Sequence, residues 1–366
     1  MTKATSDGQK RRRQRGKAAS AGLPSVTVSD VASLARTSTA TVSRALNLPE
    51  SVSENVRERV FAAVQKLGYI PNNSARALRQ NQTRLIGVVV PTLKYALYAT
   101  FYEGIQASLA SMGFFALLTT SNYDLDIEAE QARKLVQRGA QGLVLVGKTH
   151  DRKLTEFLAR ARVPYLNTYV FDPTDNENIV GFDNVKAIAT SVDYLVSLGH
   201  RDIVMLSGIT TNRNDRAQAR VKGFLDAAAA HKLPVEQRVA EAPYSIEGGR
   251  TALREIFDRG MKPTGIVCGS DMLALGAMQE CRARGLKIPR DISIIGFDDL
   301  DFAVHLDPPL STVEVPSWDL GRTAGDYIVA LCTGAKPPSV TNLPTKLLIR
   351  NTTAKPRNLV SLKRTG

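Results

Sequence analysis

The side chains best placed to do chemistry form a polar run near the N-terminus: Ser38, Thr39, Ala40, Thr41, Ser43, Arg44 and Asn47, interrupted by Val42 and Leu46. The two apolar residues are four apart, so in a helix they share one face and leave the polar ones on the other. Ser38 is placed to cap such a helix, which aims backbone N–H groups and the positive end of the helix dipole at an anion beside it. Thr39 and Ala40, in the first turn, then face outward, and Arg44 is the candidate for a guanine edge or a phosphate. This is the chemistry of polyanion recognition; the plainer reading is a surface helix with solvated polar residues. Little else in the sequence is reactive. Cys268, Cys281 and Cys332 are scattered and odd in number, and His150, His200, His231 and His305 lie far apart, so neither a disulfide framework nor a metal or catalytic cluster emerges. No Gly-rich phosphate loop of Walker or Rossmann spacing and no Gly-x-Ser-x-Gly elbow occurs. No cofactor is expected.

The elements that must carry this run are short helices. Asp30–Ala35 reads as one, Thr39–Leu46 as the second, and Glu54–Leu67 as a third, with Ser53 as its cap. The third has Val56, Val60, Ala63, Val64 and Leu67 as its buried stripe, and Gly68 stops it. Upstream, residues 1–25 carry Lys10, Arg11, Arg12, Arg13, Arg15 and Lys17 among Gly, Ala and Ser, with almost nothing to bury; a disordered basic tail is expected. Of the formal charge of +13, residues 1–80 hold +9 (fourteen Lys/Arg against five Asp/Glu), which leaves +4 for the rest. A positive head on a nearly neutral body points to a polyanion held at one end.

From Leu85 the pattern becomes alternation. Strands are predicted at Ile86–Val90, Phe114–Thr119, Gly142–Val146, Tyr165–Asn167, Ile203–Leu206, Gly265–Cys268 and Ile292–Phe297. Helices are predicted at Phe101–Met112, Ile127–Arg138, Leu154–Ala161, Val185–Leu198, Arg216–Ala230, Gly248–Arg259 and Met272–Arg284. Apolar strands alternating with helices mean parallel sheets covered on both faces, here enough for two lobes. Such sheets bind ligands at the carboxyl ends of their strands, so two facing lobes make a cleft. No stretch approaches eighteen apolar residues, and no apolar segment follows the basic N-terminus, so the expectation is a cytoplasmic protein with neither a membrane span nor a secretory signal.

Val26–Leu78 resembles the lactose-repressor (LacI/GalR) family. The residues that carry this are Thr27-Val28-Ser29-Asp30-Val31-Ala32-Ser33-Leu34-Ala35, Ser38 through Asn47, Val52-Ser53, Leu67-Gly68-Tyr69-Ile70-Pro71-Asn72 and Ala75-Arg76-Ala77-Leu78. The body resembles the family more loosely, through Val180-Gly181-Phe182-Asp183-Asn184, Leu198-Gly199-His200-Arg201, Ala219-Arg220-Val221-Lys222-Gly223-Phe224, Gly269-Ser270-Asp271, Ile295-Gly296-Phe297-Asp298-Asp299 and Pro309-Leu310-Ser311-Thr312-Val313. The resemblance implies a helix-turn-helix head on a body like a periplasmic sugar-binding protein, whose two doubly wound lobes are joined by three crossings. These fall near Gly181–Asn184, Glu314–Ser317 and Pro344–Leu348. It implies a tail over 1–25, a DNA-binding domain over 26–71, and a hinge helix and linker over 72–83. The effector-binding core covers 84–356, one lobe being 84–182 with 316–345 and the other 183–315 with 346–356, and a tail covers 357–366. DNA contacts are implied at Thr27, Ser38, Thr39, Ala40, Thr41, Ser43, Arg44, Asn47, Ser53, Tyr69, Asn72 and Leu78, the last as a minor-groove wedge on a hinge helix too short to hold in water alone.

Effector contacts are implied at Tyr98, Arg220, Tyr244, Ser270 and Asp298. Arg216 joins them because it and Arg213 add positive charge that favours a sugar acid, the alternative being arginines exposed at a helix start. Four places depart from the family pattern. Arg36 stands where a turn glycine is usual, so a left-handed turn there costs on the order of 1 kcal/mol. Pro91–Tyr98 lacks the usual Asn-Pro-Phe. Tyr169 and Val315 replace polar ligand contacts. The implied function is a transcription regulator, a repressor in this reading, that binds operator DNA as a homodimer under control of a sugar, sugar acid or similar polar metabolite. A transport-type sugar-binding protein and a non-specific DNA coater are the alternatives; the first leaves the head unexplained, the second the body.

Overall fold

Thr27 and Ser38 begin the first two helices for one reason: each hydroxyl accepts a backbone N–H that no carbonyl of the helix can reach. The computed structural model describes residues 26–70, 83–174, 177–211 and 213–357. The chain divides into two compact units, Met1–Asn81 and Gln82–Gly366. In the first, α1 (Val28–Leu34) opens on a reciprocal cap: the Thr27 N–H donates to Asp30 Oδ2 at 2.8 Å while the Asp30 N–H donates back to Thr27 Oγ1. Helix α2 (Thr39–Asn47) opens on Ser38, whose Oγ accepts the Thr41 N–H at 3.1 Å. Helix α3 (Glu54–Leu67) follows Ser53, but here the expected side-chain cap bond is not made. Gly68 ends α3 at φ +62°. Val31, Ala32, Ala35, Val42, Ala45, Val60 and Ala63 form the small core of this unit.

The second unit contains two six-stranded sheets among the described residues. The first has the order β11-β5-β4-β3-β1-β2, where β1 is Leu85–Val90, β2 Phe115–Thr120, β3 Ala140–Val146, β4 Tyr165–Thr168, β5 Ile179–Gly181 and β11 Val340–Asn342. The second has the order β12-β10-β9-β8-β6-β7, from β6 (Ile203–Gly208), β7 (Val239–Ala242), β8 (Gly265–Cys268), β9 (Ser293–Asp298), β10 (Ser311–Glu314) and β12 (Lys346–Leu348). All pairings are parallel except β10 with β12. That strand corrects the expectation of purely parallel sheets; it lies at a sheet edge, where a returning chain can pair in the opposite sense.

The helices are α4 (Ala96–Ser111), α5 (Leu125–Gln137), α6 (Arg152–Ala161), α7 (Asn184–Ser197), α8 (Asp215–Ala230), α9 (Ile246–Asp258), α10 (Asp271–Ala283) and α11 (Ser317–Cys332). Most begin one or two residues earlier than periodicity alone suggests, because polar caps start them: Asp124, Asp151, Asp183, Asn214, Ser245 and Ser270 each accept a first-turn N–H. The elements that periodicity misses are the three- and four-residue strands β5, β7, β10, β11 and β12, and the helix α11. The chain passes between the sheets after β5, after β10 and after β11. Phe182 and Phe297 meet at the passage, ring centroids 6.2 Å apart, inside a core that spans both sheets.

Candidate functional site

In the first unit, α2 buries Val42 and Ala45, half-buries Leu46, and turns Thr39, Ala40, Arg44 and Asn47 to solvent, with Thr41 and Ser43 half-buried. Part of that polar face is already internally bonded. Ser38 Oγ lies 2.9 Å from Thr41 Oγ1, Arg44 Nη2 donates to Thr41 Oγ1 at 3.5 Å, and Asn47 Nδ2 donates to the Ser43 carbonyl at 2.7 Å. The freest groups on α2 are therefore Thr39 and Ala40, small side chains suited to thymine methyls. Thr27 is exposed but engaged with Asp30, whose carboxyl Thr27's donors hold below the usual range. Ser53 is exposed, and Tyr69 is half-buried against the helical core. Arg36 takes the left-handed turn, φ +50°. Asn72, Leu78 and the rest of the hinge lie outside the described residues, as does the basic tail over 1–25.

In the second unit, the carboxyl ends of both sheets converge on a small cavity of about 30 Å³. Tyr95, Leu97 and Tyr98 follow β1, Tyr123 follows β2 and Tyr169 follows β4; opposite them stand Asn214, Arg216, Arg220, Tyr244, Ser270, Met272, Asp298 and Leu300. All six residues expected to contact an effector thus line one space. Both arginines are buried, which overturns the alternative of exposed helix-start side chains; Arg213, by contrast, is exposed and lends the cavity no lining. Val315 is buried beside this space, in a neighbouring groove.

Arg220 is fixed from three sides. Its Nε donates to Asn184 Oδ1 at 2.9 Å, its Nη1 donates to the Gly269 carbonyl at 2.8 Å, and its guanidinium carbon lies 3.8 Å from the Phe297 ring centroid. Asp298 is the opposite case. Burial pushes its carboxyl up to about 7 against the pull of Arg220, and Oδ1 is buried without a hydrogen-bond partner. Its backbone sits at φ +110°, and Asp299 follows at φ +54°. Strain of this kind, on the order of 1–3 kcal/mol per residue, persists where surroundings enforce it and is concentrated at binding sites. An orphaned acceptor beside a fixed cation is an arrangement waiting for a donor such as a hydroxyl.

The remaining wall is aromatic. Tyr95 and Tyr123 stand 6.2 and 6.3 Å from Tyr244, and Tyr98 packs edge-on to Tyr169 at 5.6 Å. Burial raises these phenols, Tyr95 to about 12, so they stay protonated and offer hydroxyl donors around an apolar surface. Gly208 lets the Tyr244 ring approach, since a Cβ there would lie 2.1 Å from it. Sequence reasoning missed Tyr123, Asn214, Met272 and Leu300. Their signal was positional: each follows the carboxyl end of a strand, where ligands bind in such sheets.

Residues 27–72 match the family described as bacterial regulatory proteins, lacI family. Residues 192–353 match a periplasmic binding protein-like domain. The chain is 32% identical over 301 residues to the HTH-type transcriptional repressor CytR of Escherichia coli (strain K12), which covers 81% of this chain and 87% of that relative. Its structure is similar to the lac repressor dimer bound to operator and the anti-inducer ONPF, with a TM-score of 0.82 and 29% identity over 90% of this chain and 99% of that one. It is also similar to the transcriptional regulator CelR in complex with cellobiose, with a TM-score of 0.67 and 27% identity over 89% of this chain and 99% of that one.

Proposed function

We propose, from the premise that this chain belongs to the lacI family of bacterial regulatory proteins and is a DNA-binding transcription regulator rather than an enzyme, that it represses as a homodimer on a near-palindromic operator and answers to a small polar effector in the cleft. The observation that carries the DNA half is the Ser38-capped helix, which turns Thr39, Ala40 and Arg44 away from a three-helix core. Two such heads on a symmetric dimer read two half-sites about one helical turn apart. Asn72–Arg79, outside the described residues, acts as a hinge that orders on the operator and wedges Leu78 into the minor groove.

The dimer reading is supported by β2. It is the edge strand of its sheet, yet it exposes Phe115 (70%) and Leu117 (39%), and an apolar edge left open is an aggregation hazard unless a partner covers it. The effector reading is supported by Asp298's unpartnered oxygen, the fixed Arg220 guanidinium, Ser270 and the flat Tyr244 ring, a set that suits a sugar or a similar polyol. The site of action is operator DNA in the cytoplasm.

Selection of binding sequences from a random duplex library by the full-length protein, followed by footprinting, tests this function. The expected outcome is one near-palindromic consensus, protected over two half-sites, with affinity that falls steeply as salt rises. Retention of DNA without enrichment of any sequence overturns it in favour of a DNA coater.

A further inference from the structure

The first turn of α8 reaches across the cleft and grips the loop that leaves β3. Asp215 Oδ2 accepts the backbone N–H groups of Lys148 and Thr149 at 2.6 and 2.9 Å. Arg216 Nη1 donates to the Val146 carbonyl at 3.1 Å and to Asp215 Oδ1 at 2.7 Å. Asp215 and Arg216 belong to the lobe built on β6–β10, and Val146–Thr149 to the lobe built on β1–β5. Gly147 makes the approach possible: at φ +95°, a Cβ there would lie 2.0 Å from Arg216 Nη1 and 2.8 Å from Asp215 Oδ1.

We propose that Asp215 and Arg216 form a latch that holds the two lobes together through the protein's own backbone, so that closure of the cleft is biased by this pair as well as by the effector. The proposal rests on reading the cavity as an effector site and adds how that site is regulated. The bonds are charge-assisted, and so roughly twice as strong as neutral ones. Burial alone would raise Asp215's carboxyl; Arg216, the two amide donors and His150 outweigh it and keep the carboxyl below its usual range, so the site is built for the anion. The gripped loop is itself anchored. His150 Nδ1 lies 2.7 Å from Glu128 Oε2, and Nε2 lies 3.0 Å from Asn167 Oδ1, so a pull on the loop is a pull on its lobe. One consequence revises the effector class. Arg216, the residue that favoured a sugar acid, is already paired with a carboxylate, and an uncharged polyol fits the cleft better.

The test uses the full chain and needs no effector. Amide exchange is followed at Lys148 and Thr149, and the lobe separation is read by pulsed EPR between spin labels on p-acetylphenylalanine at exposed Glu130 and Glu236. Protected amides are expected in the parent and, in dimers diluted with unlabelled chain, one narrow within-chain distance. Asp215→Ala should raise exchange at both amides at least tenfold and shift the distance longer, and Asp215→Asn, which keeps an acceptor without the charge, should fall between. Continued protection of β8 shows that the fold is intact. An unchanged distance in both variants overturns the latch, whatever the amides do. Sequence selection on DNA with the same variants reports separately on the regulator reading: an opened variant with no sequence preference in variant or parent sinks that reading and leaves the latch standing.

Discussion

Asp298→Asn replaces a buried carboxyl by its neutral isostere, and the structure fixes how the variant's advantage must depend on pH. In the folded chain the carboxyl titrates at about 7, because burial penalises its charge more than Arg220 relieves it. In the unfolded chain it titrates near the ordinary value of about 3.9. The folded state therefore binds more protons than the unfolded state between these limits. The stability of the protonated site is fully present below about pH 4 and is lost as pH rises through about 7. Three units correspond to on the order of 4 kcal/mol, at about 1.4 kcal/mol per unit.

The variant never ionises, so its stability relative to the parent should improve by about that amount between pH 4.5 and pH 8.5. The new amide introduces an N–H that can be left unpaired at a cost of about 1–3 kcal/mol, but this cost is the same at both pH values and cancels from the difference. Asp271, also raised by burial and further by Asp298's charge, shifts down in the variant, so the comparison reads the pair. The assay is urea unfolding at several pH values, followed by the fluorescence of Trp318, the single tryptophan, at the start of α11. Stability curves for parent and variant that run parallel from pH 4.5 to 8.5 would refute the reasoning.

Arg36→Gly relieves a left-handed arginine at φ +50° and should stabilise the N-terminal unit by about 1 kcal/mol in calorimetry; no change would mean the turn relaxes without cost. Deleting residues 1–25 should lower affinity about equally for operator and random DNA in a gel-shift titration, and lost sequence preference would show instead that the tail reads bases. Leu78→Ala should weaken operator binding strongly and random-DNA binding little, with the melting temperature unchanged; a melting drop of several degrees with operator preference intact would place Leu78 in packing rather than in DNA.

What could be read from the sequence, and what could not, divides along the kind of contact involved. The head was legible because its determinants are local: Ser38 caps three residues ahead, Gly68 stops α3 in place, and Val42 and Leu46 mark the inner face by their spacing. The alternation of the body was legible for the same reason, since each apolar strand carries its own pattern, whereas β5, β11 and β12 have only three residues, and β7 and β10 break theirs with Glu241 and with Ser311, Thr312 and Glu314. Within the cleft, Arg220 and Asp298 were found through their family words, but the state of each was not. That Asp298 is left with an unpartnered oxygen depends on what surrounds it in space.

Arg216 shows the limit most sharply. The sequence offered a ligand-facing charge or an exposed one, and the structure gives neither alone: the side chain lines the cavity while paired to the adjacent Asp215 and bonded to a carbonyl of the other lobe. The partners that decide its role are the Val146 carbonyl and Asp215, itself held by the Lys148 and Thr149 amides, and backbone donors and acceptors carry no residue identity for a sequence to display. The one sequence trace of that contact is Gly147, where any side chain would collide with Arg216. In a two-lobed protein, then, a glycine directly after the carboxyl end of a strand is worth testing as the seat of a contact from the opposite lobe before the nearby charges are assigned to a ligand.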